Sequence, residues 1–525
     1  MHNSTCCLAS GLLISASLFS AQAEAQIIAD PTTNTQVNLE DNTWEITGGE
    51  TLGKNLFHSF EQFSITQDNT AWFNNATDLN NIFGRVTGSS VSEISGLIRS
   101  MGTANLFLIN PNGIVFNQGA ALDVGGSFMA TTADRLLFDD GAEFSAVAPD
   151  TKPLLTISSP VGLQLGKNAG AIAVNGRGHN LADGTLNNPF IRQANLDELR
   201  VQPGNNIALI GGEITFNGGV LVAEEGAIDL IGLRDRQIDL NADLAIADLN
   251  EIDSIATNNF GNIDLEQKSL LDASGISGGS INVIGGNINL TQNSHVLIQK
   301  FQGEQEQAID ILASETFSLT NGSALTTENL DSGSTAAINV AANNLVLDEG
   351  GNISALAYQD SYGRDIKIDV AQDVRVTGFN PFDLDFPSVV AGVSLSTGKA
   401  PNVSLSAQNL SLENGGNVAS AAFNIGSGGN VDIEIENAIA ISGTSSIFLP
   451  SGISAITGGV GSGGDLSINT GSLTVENSGI INTATVRGNS GNLTIDAREY
   501  VRVSGFNPSA SLSSTITSSV EEELA

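Results

Sequence analysis

One short phrase recurs through the second half of the chain. It reads Gly279-Ser280-Ile281-Asn282-Val283, Gly429-Asn430-Val431-Asp432-Ile433, Gly464-Asp465-Leu466-Ser467-Ile468 and Gly491-Asn492-Leu493-Thr494-Ile495. Each copy is a glycine, a polar residue and an apolar/polar/apolar alternation, the period of a strand with one buried face. Apolar phrases such as Leu345-Val346-Leu347 and Leu410-Ser411-Leu412 follow similar units, and a Gly-Gly-Asn turn opens at Gly350 and Gly415. A longer echo joins Arg375-Val376-Thr377-Gly378-Phe379-Asn380-Pro381 to Arg502-Val503-Ser504-Gly505-Phe506-Asn507-Pro508. Repeats of this kind within one chain point to a solenoid, in which each unit buries its apolar face against its neighbours.

The first half is written the same way. Ile207-Ala208-Leu209-Ile210, Ile214-Thr215-Phe216 and Val220-Leu221-Val222 are separated only by Gly-Gly-Glu and Asn-Gly-Gly. No helical pattern of useful length lies between such runs, so a βαβ architecture is excluded. The composition agrees: 58 glycines, but only 2 tryptophans and 3 tyrosines, suit many short strands and turns and make poor helices. The expected class is therefore all-β, a β-solenoid. Its Val, Ile, Leu and Phe stack inward from coil to coil, and Gly and Asn take the corners, where Asn side chains can bond along the axis.

With 57 acidic and 20 basic residues the chain carries a formal charge of −37, which repels phosphate backbones and argues against a nucleic-acid partner. Its two cysteines, Cys6 and Cys7, precede the apolar run Leu8 to Phe19. That run is too short for a membrane span and suits the h-region of a signal peptide. Ala21-Gln22-Ala23 and Ala23-Glu24-Ala25 are cleavage candidates, so residues 1–25 read as a signal peptide. The exported chain would be free of cysteine, held by packing and hydrogen bonds. No later segment is long and apolar enough to serve as a helical anchor.

At Asn105-Leu106-Phe107-Leu108-Ile109-Asn110-Pro111-Asn112-Gly113-Ile114-Val115-Phe116 two apolar runs flank a polar corner. Pro111 fixes φ and cannot donate to a ladder; Asn110 before it is pushed towards extended backbone; Asn112-Gly113 is a favoured pair for positive φ. Physics alone predicts strand–turn–strand.

Around this corner the chain resembles the N-terminal haemagglutination-activity domain of two-partner secretion exoproteins, the filamentous haemagglutinin family. The resemblance is carried by Gly53-Lys54-Asn55-Leu56-Phe57-His58-Ser59-Phe60-Glu61-Gln62-Phe63, by Asn81-Ile82-Phe83-Gly84-Arg85-Val86-Thr87-Gly88, by Ile94 to Ile98 and Ala104 to Ile114, and by Gly125-Gly126-Ser127-Phe128-Met129-Ala130-Thr131-Thr132. The wording of the repeats is similar to cyanobacterial members. The resemblance implies a right-handed parallel β-helix with an N-terminal cap. It implies Sec export through the periplasm, then passage through an outer-membrane β-barrel transporter with POTRA domains to the cell surface or medium. Asn110, Pro111, Asn112, Gly113 and Ile114 would then be the secretion signal. The family's earlier Asn-Pro-Asn-Leu motif is altered here to Asn74-Asn75-Ala76-Thr77-Asp78-Leu79. The expected organisation is a signal peptide (1–25), a secretion-domain core (26–145) and a continuing β-helical shaft (146–525). The shaft would act as an adhesin on host or neighbouring-cell glycans or proteins. No effector or toxin module is recognisable, which argues against a contact-inhibition or haemolysin carrier.

Catalytic and metal motifs are weak. Gly275-Ile276-Ser277-Gly278-Gly279 fits Gly-x-Ser-x-Gly, but a strand pattern rather than a helix follows it. His58, His179 and His295 are far apart in sequence and have no metal-ligand spacing. Gly458-Gly459-Val460-Gly461 begins like a calcium-binding repeat, yet Gly463 stands where an Asp ligand belongs. Since β-helices also include polysaccharide-cleaving enzymes, the paired carboxylates Asp139-Asp140 and Asp383 with Asp385 are the alternative. Asp139-Asp140 reads as a turn and Asp383/Asp385 as a loop excursion. The expectation is a non-enzymatic protein without cofactor or metal.

Overall fold

The structure, a computed structural model, describes residues 26–147, 155–185, 188–195, 197–241, 259–303, 306–380 and 386–520. The proposed signal segment and Asp383 with Asp385 lie outside the described residues. The described elements are all β-strands, wound as a parallel β-helix.

One coil shows the plan. Ile207–Gly211 and Glu213–Asn217 lie in one long sheet and Val220–Val222 in an 11-stranded sheet facing it. Successive coils then pair parallel and in register, Ile207 with Ile228, Ile214 with Ile263 and Leu221 with Leu271. The inward positions form continuous columns. One runs from Leu56 through Ile82, Leu106, Phe128, Ile207, Ile228, Ile281, Ile309, Ile338, Ile366, Val403, Val431 and Leu466 to Leu493. Each fully buried aliphatic side chain in such a column is worth about 1.5–3 kcal/mol, which is how a shaft without disulfides holds together.

The glycine of the recurring phrase has a packing cause. A Cβ on Gly491 would sit 1.9 Å from the carbonyl oxygen of Gly464, and one on Gly464 would sit 1.9 Å from that of Gly429. The chain turns there against its own previous coil, leaving room for hydrogen only.

From Ala308 onward the two runs in the long sheet merge into single bulged strands, except where Ile366–Val370 and Asp373–Thr377 stay separate, and the bulge alternates. Between matched positions, two residues (Ser314, Glu315) stand against one (Asn343), Gln408 against Glu436 and Asn437, and Gly471 against Arg498 and Glu499. The true repeat is therefore two coils. The Arg375 and Arg502 phrases occupy one lateral column, with Ala440 in the same column between them. Gly378, Gly443 and Gly505 close all three phrases at positive φ.

The first coil is closed by antiparallel strands: Ile27–Ala29 and Glu50–Leu52 pair with Asn55–Phe63, and Thr35–Glu40 pairs with Thr43–Gly48. This cap covers an edge that would otherwise template aggregation. Among the described residues, the excursions from the helix include a sheet and a hairpin. Arg135–Phe138, Glu143–Ser145, Pro160–Leu165 and Arg236–Asp239 form a four-stranded antiparallel sheet. Ala182–Thr185 and Asn188–Ile191 form a hairpin.

Candidate functional site

The corner at Asn110 lies between two strands that do not pair with each other. Asn105–Ile109 is flanked by Asn81–Val86 and Phe128–Thr131, whereas Ile114–Phe116 is flanked by Ser92–Ile94 and Ala171–Asn175. The expected strand–turn–strand is thus a bend between two runs of one coil, not a hairpin. The Gly113 amide donates to the Asn110 carbonyl at 3.1 Å, closing a four-residue turn with Pro111 at its second position. Gly113 takes φ +127°. Asn112 keeps negative φ, contrary to the pairing expected from Asn-Gly, because Pro111-Asn112 supplies the two central residues of a type I-like turn.

Asn110 is 0% exposed, and its side chain is fully used. Its amide donates to the Ser90 carbonyl and to Ser92 Oγ, both at 2.9 Å. Its Oδ1 accepts from the Asn112 backbone and side-chain amides, both at 3.0 Å. Asn112 Nδ2 also donates to the Gly88 carbonyl at 2.8 Å. The backbone continues the stitching: Asn110 N–H donates to Thr131, Gly170 N–H to Pro111 and Ser92 N–H to Gly113. Ile114 is buried in the core column between Ser92 and Ile172. The five residues therefore form one unit bonded to the coil before and to the coil after. Pro111 and Asn112 alone reach the surface.

The flanking phrases build the outer side of the same coils. Phe57, Phe83 and Phe107 share an outward column, with ring centroids 4.9 and 4.7 Å apart. The four-stranded sheet covers them through Leu136, Phe138 and Phe144. Asn55, Asn81 and Asn105 form an amide ladder at 3.0 and 3.2 Å, the axial Asn bonding the sequence suggests.

Sequence reasoning missed the role of Arg85. It is 1% exposed and lies over the Phe144 ring at 4.6 Å. It donates to Ser59 Oγ and Thr32 Oγ1, both at 2.8 Å, and to the Ser145 carbonyl. Burial alone would raise the nearby Asp30 carboxyl, but hydrogen bonds from Ser59, Thr32 and Thr87 hold it below the usual range. Arg85 thus ties cap, first coils and antiparallel sheet together. His58 is buried between Phe60 and Phe73, within 3.1 Å of Thr35 Oγ1, and burial lowers its pKa to about 4. Asn75, in the altered motif, exchanges bonds with the Met101 backbone: Nδ2 to the carbonyl at 3.0 Å and the Met101 amide to Oδ1 at 2.9 Å.

The remaining candidates resolve as follows. Asp139-Asp140 is the turn after Arg135–Phe138, with Asp140 accepting from the Ala142 amide and from Thr156. The strand Ser280–Gly285 follows the Gly-x-Ser-x-Gly phrase. His179 and His295 correct the sequence reading: solenoid stacking brings their rings to 4.9 Å. Among the described residues, no three His, Cys, Asp or Glu side chains are placed to hold a metal ion.

Comparison with known proteins gives three likenesses. A family model described as the TPS secretion domain matches residues 25–290. The heme/hemopexin-binding protein of Haemophilus influenzae (strain ATCC 51907 / DSM 11121 / KW20 / Rd) is 39% identical over 79 residues, 15% of this chain and 8% of that protein. The match therefore spans less than a tenth of that relative's length. The crystal structure of the HMW1 secretion domain from Haemophilus influenzae aligns with 91% of this chain and 98% of its own, at 15% identity and a TM-score of 0.38.

Proposed function

We propose, since this chain belongs to the TPS secretion domain family, that it is exported by recognition of its N-terminal coils and serves outside the cell as an adhesive rod. Belonging to that family makes it the secretion-domain part of a two-partner exoprotein, a family of exported proteins rather than of enzymes. Its partner would be a cognate outer-membrane transporter with POTRA domains, reached after Sec export guided by residues 1–25. The observation that carries this reading is the family match over residues 25–290. The core of the signal would lie in residues 26–145, and the shaft to residue 525 would present its acidic faces to glycans or proteins of another cell.

The signal residues would be Asn110, Pro111, Asn112, Gly113 and Ile114. Burial of Asn110 supports a specific timing. In the folded coil its amide has no free donor or acceptor, so a transporter could read it only before the coil closes. Unfolded strands could add to POTRA strand edges through backbone bonds, and folding outside would then withdraw the signal. The test is co-expression with the partner transporter. Asn110→Ala and Asn112→Ala should each cut surface delivery several-fold while periplasmic amounts hold. Undiminished delivery of both variants would reject the signal assignment.

A further inference from the structure

The hairpin of Ala182–Thr185 and Asn188–Ile191 lies within the family-matched segment, yet much of what holds it lies beyond residue 290. Its stem is tied to the segment's own coils: Arg192 pairs with Asp272 at 2.8 Å and Glu224 at 3.0 Å. Leu181 and Phe190 pack on Val220, Val222 and Leu270, on the outer face of the 11-stranded sheet. The second set of contacts comes later in the chain. His179 Nε2 is 2.8 Å from the Asn293 carbonyl, and His295 packs edge-on against both His179 and Phe190. Gln299 Nε2 donates to the Phe190 carbonyl at 2.7 Å. The Phe190 amide donates to both oxygens of Glu328, at 3.2 and 3.3 Å, across 138 residues of sequence. Gln299 also donates to Glu328 at 2.8 Å, and the two are register partners on adjacent coils. Glu328 sits on the outer side of the sheet but is 0% exposed, next to the Phe190 main chain.

We propose that this hairpin is a strap that closes in two stages. Arg192 tethers it to the early coils, and it seats on the sheet only after the coil carrying Ala324–Asn329 has folded. The physical reason is that the Phe190 main-chain groups cannot be buried without partners, since an unmet backbone donor or acceptor costs about as much as a lost hydrogen bond. Those partners sit at positions 299 and 328. In a chain that folds from its N-terminus, the strap would stay open until the coils had grown past Glu328, so its closure marks growth of the rod beyond the family-matched segment.

Hydrogen exchange on the full chain tests this without a transporter. In Glu328→Ala and in Gln299→Ala, amides of residues 188–192 should exchange at least tenfold faster. Strands Asn105–Ile109, Ile207–Gly211 and Ala337–Leu347 should keep their protection. Glu328→Gln, whose carboxamide oxygen still accepts from Phe190, should retain most of the strap's protection. During refolding from denaturant, pulse labelling should show residues 188–192 protected no earlier than 324–329. Unchanged exchange of the strap in both alanine variants would overturn the proposal. So would protection of the strap before 324–329, a readout that still decides if Glu328→Ala loosens the shaft as a whole.

Discussion

Asn110 is a fold determinant of its corner, and that role can be separated by experiment from the export signal proposed for it. Replacing it with alanine removes four side-chain hydrogen bonds and leaves Ser92 Oγ and the Asn112 amide short of partners inside the corner. The expected cost is about 2–4 kcal/mol, given about 1–3 kcal/mol for a buried group left unpaired. Asn112→Ala removes bonds at the surface and should cost about 1 kcal/mol or less. If both variants lose delivery alike while chemical denaturation ranks them this far apart, the residues are read in the unfolded chain. Delivery that tracks stability would mean the corner matters for folding outside. His58 provides a second residue-scale check. Burial lowers its pKa from 6.5 to about 4, so the folded cap binds fewer protons than the unfolded chain. Its contribution is complete above pH 6.5 and is lost as pH falls through about 4. His58→Phe should flatten that part of an acid-unfolding profile, as followed by near-UV circular dichroism.

Elements are held in register by lateral ladders as well as by the core. Asp229, Asn282, Asp310 and Asn339 follow one another in a single column. Asn282 donates to Asp229 at 2.6 Å and Asn339 to Asp310 at 2.7 Å. Amide and carboxylate alternate, so like charges never meet at the strand spacing of about 4.8 Å, which matters in a chain of charge −37. Asn282→Asp would stack three carboxylates. At an effective dielectric near 20 each new neighbour costs up to about 3 kcal/mol, and burial already pushes Asp229 up to about 6. The variant's carboxyls would titrate above their unfolded values, so the penalty is full at neutral pH and relieved as the medium is acidified below them. Thermal melts should show Asn282→Ser close to the parent at pH 7.5. Asn282→Asp should melt several degrees lower, and the gap should narrow at pH 5. An equal gap at both values would refute the electrostatic cause. Strand identity was readable from sequence because the apolar/polar period is local. The strap was not, because Phe190 and Glu328 meet only after several coils have stacked. The same distance hid the meeting of His179 with His295, and nothing near Arg85 announced a buried cation stacked on an aromatic ring.

At the scale of the rod, stability is close to a sum over coils and their interfaces, so what matters is whether neighbouring coils match. The echo between Arg375 and Arg502 is visible in sequence. Its middle copy, Ala440-Ile441-Ser442-Gly443, is hidden because Ala440 stands in place of the Arg and Thr444-Ser445-Ser446 in place of the Phe-Asn-Pro of the others. The structure restores it and reveals the period: coils with a two-residue bulge alternate with coils with a one-residue bulge. That period makes a sharp prediction about deletions. Removing residues 414–476 joins Glu413 to Asn477, a residue of the same type and the same φ of 51° as Asn414. It also seats Leu493–Ser504, with its two-residue bulge, on Val403–Glu413, with its one-residue bulge, as it now sits on Leu466–Glu476. Removing only residues 414–442 would place Leu466–Glu476 on Val403–Glu413, two one-residue bulges face to face, and break the alternation. The longer deletion should therefore give the more stable protein. It should show a single cooperative melt within a few degrees of the full chain, whereas the shorter deletion melts earlier or in two steps. If the shorter deletion proves as stable as the longer, bulge alternation is incidental and the single coil is the folding unit.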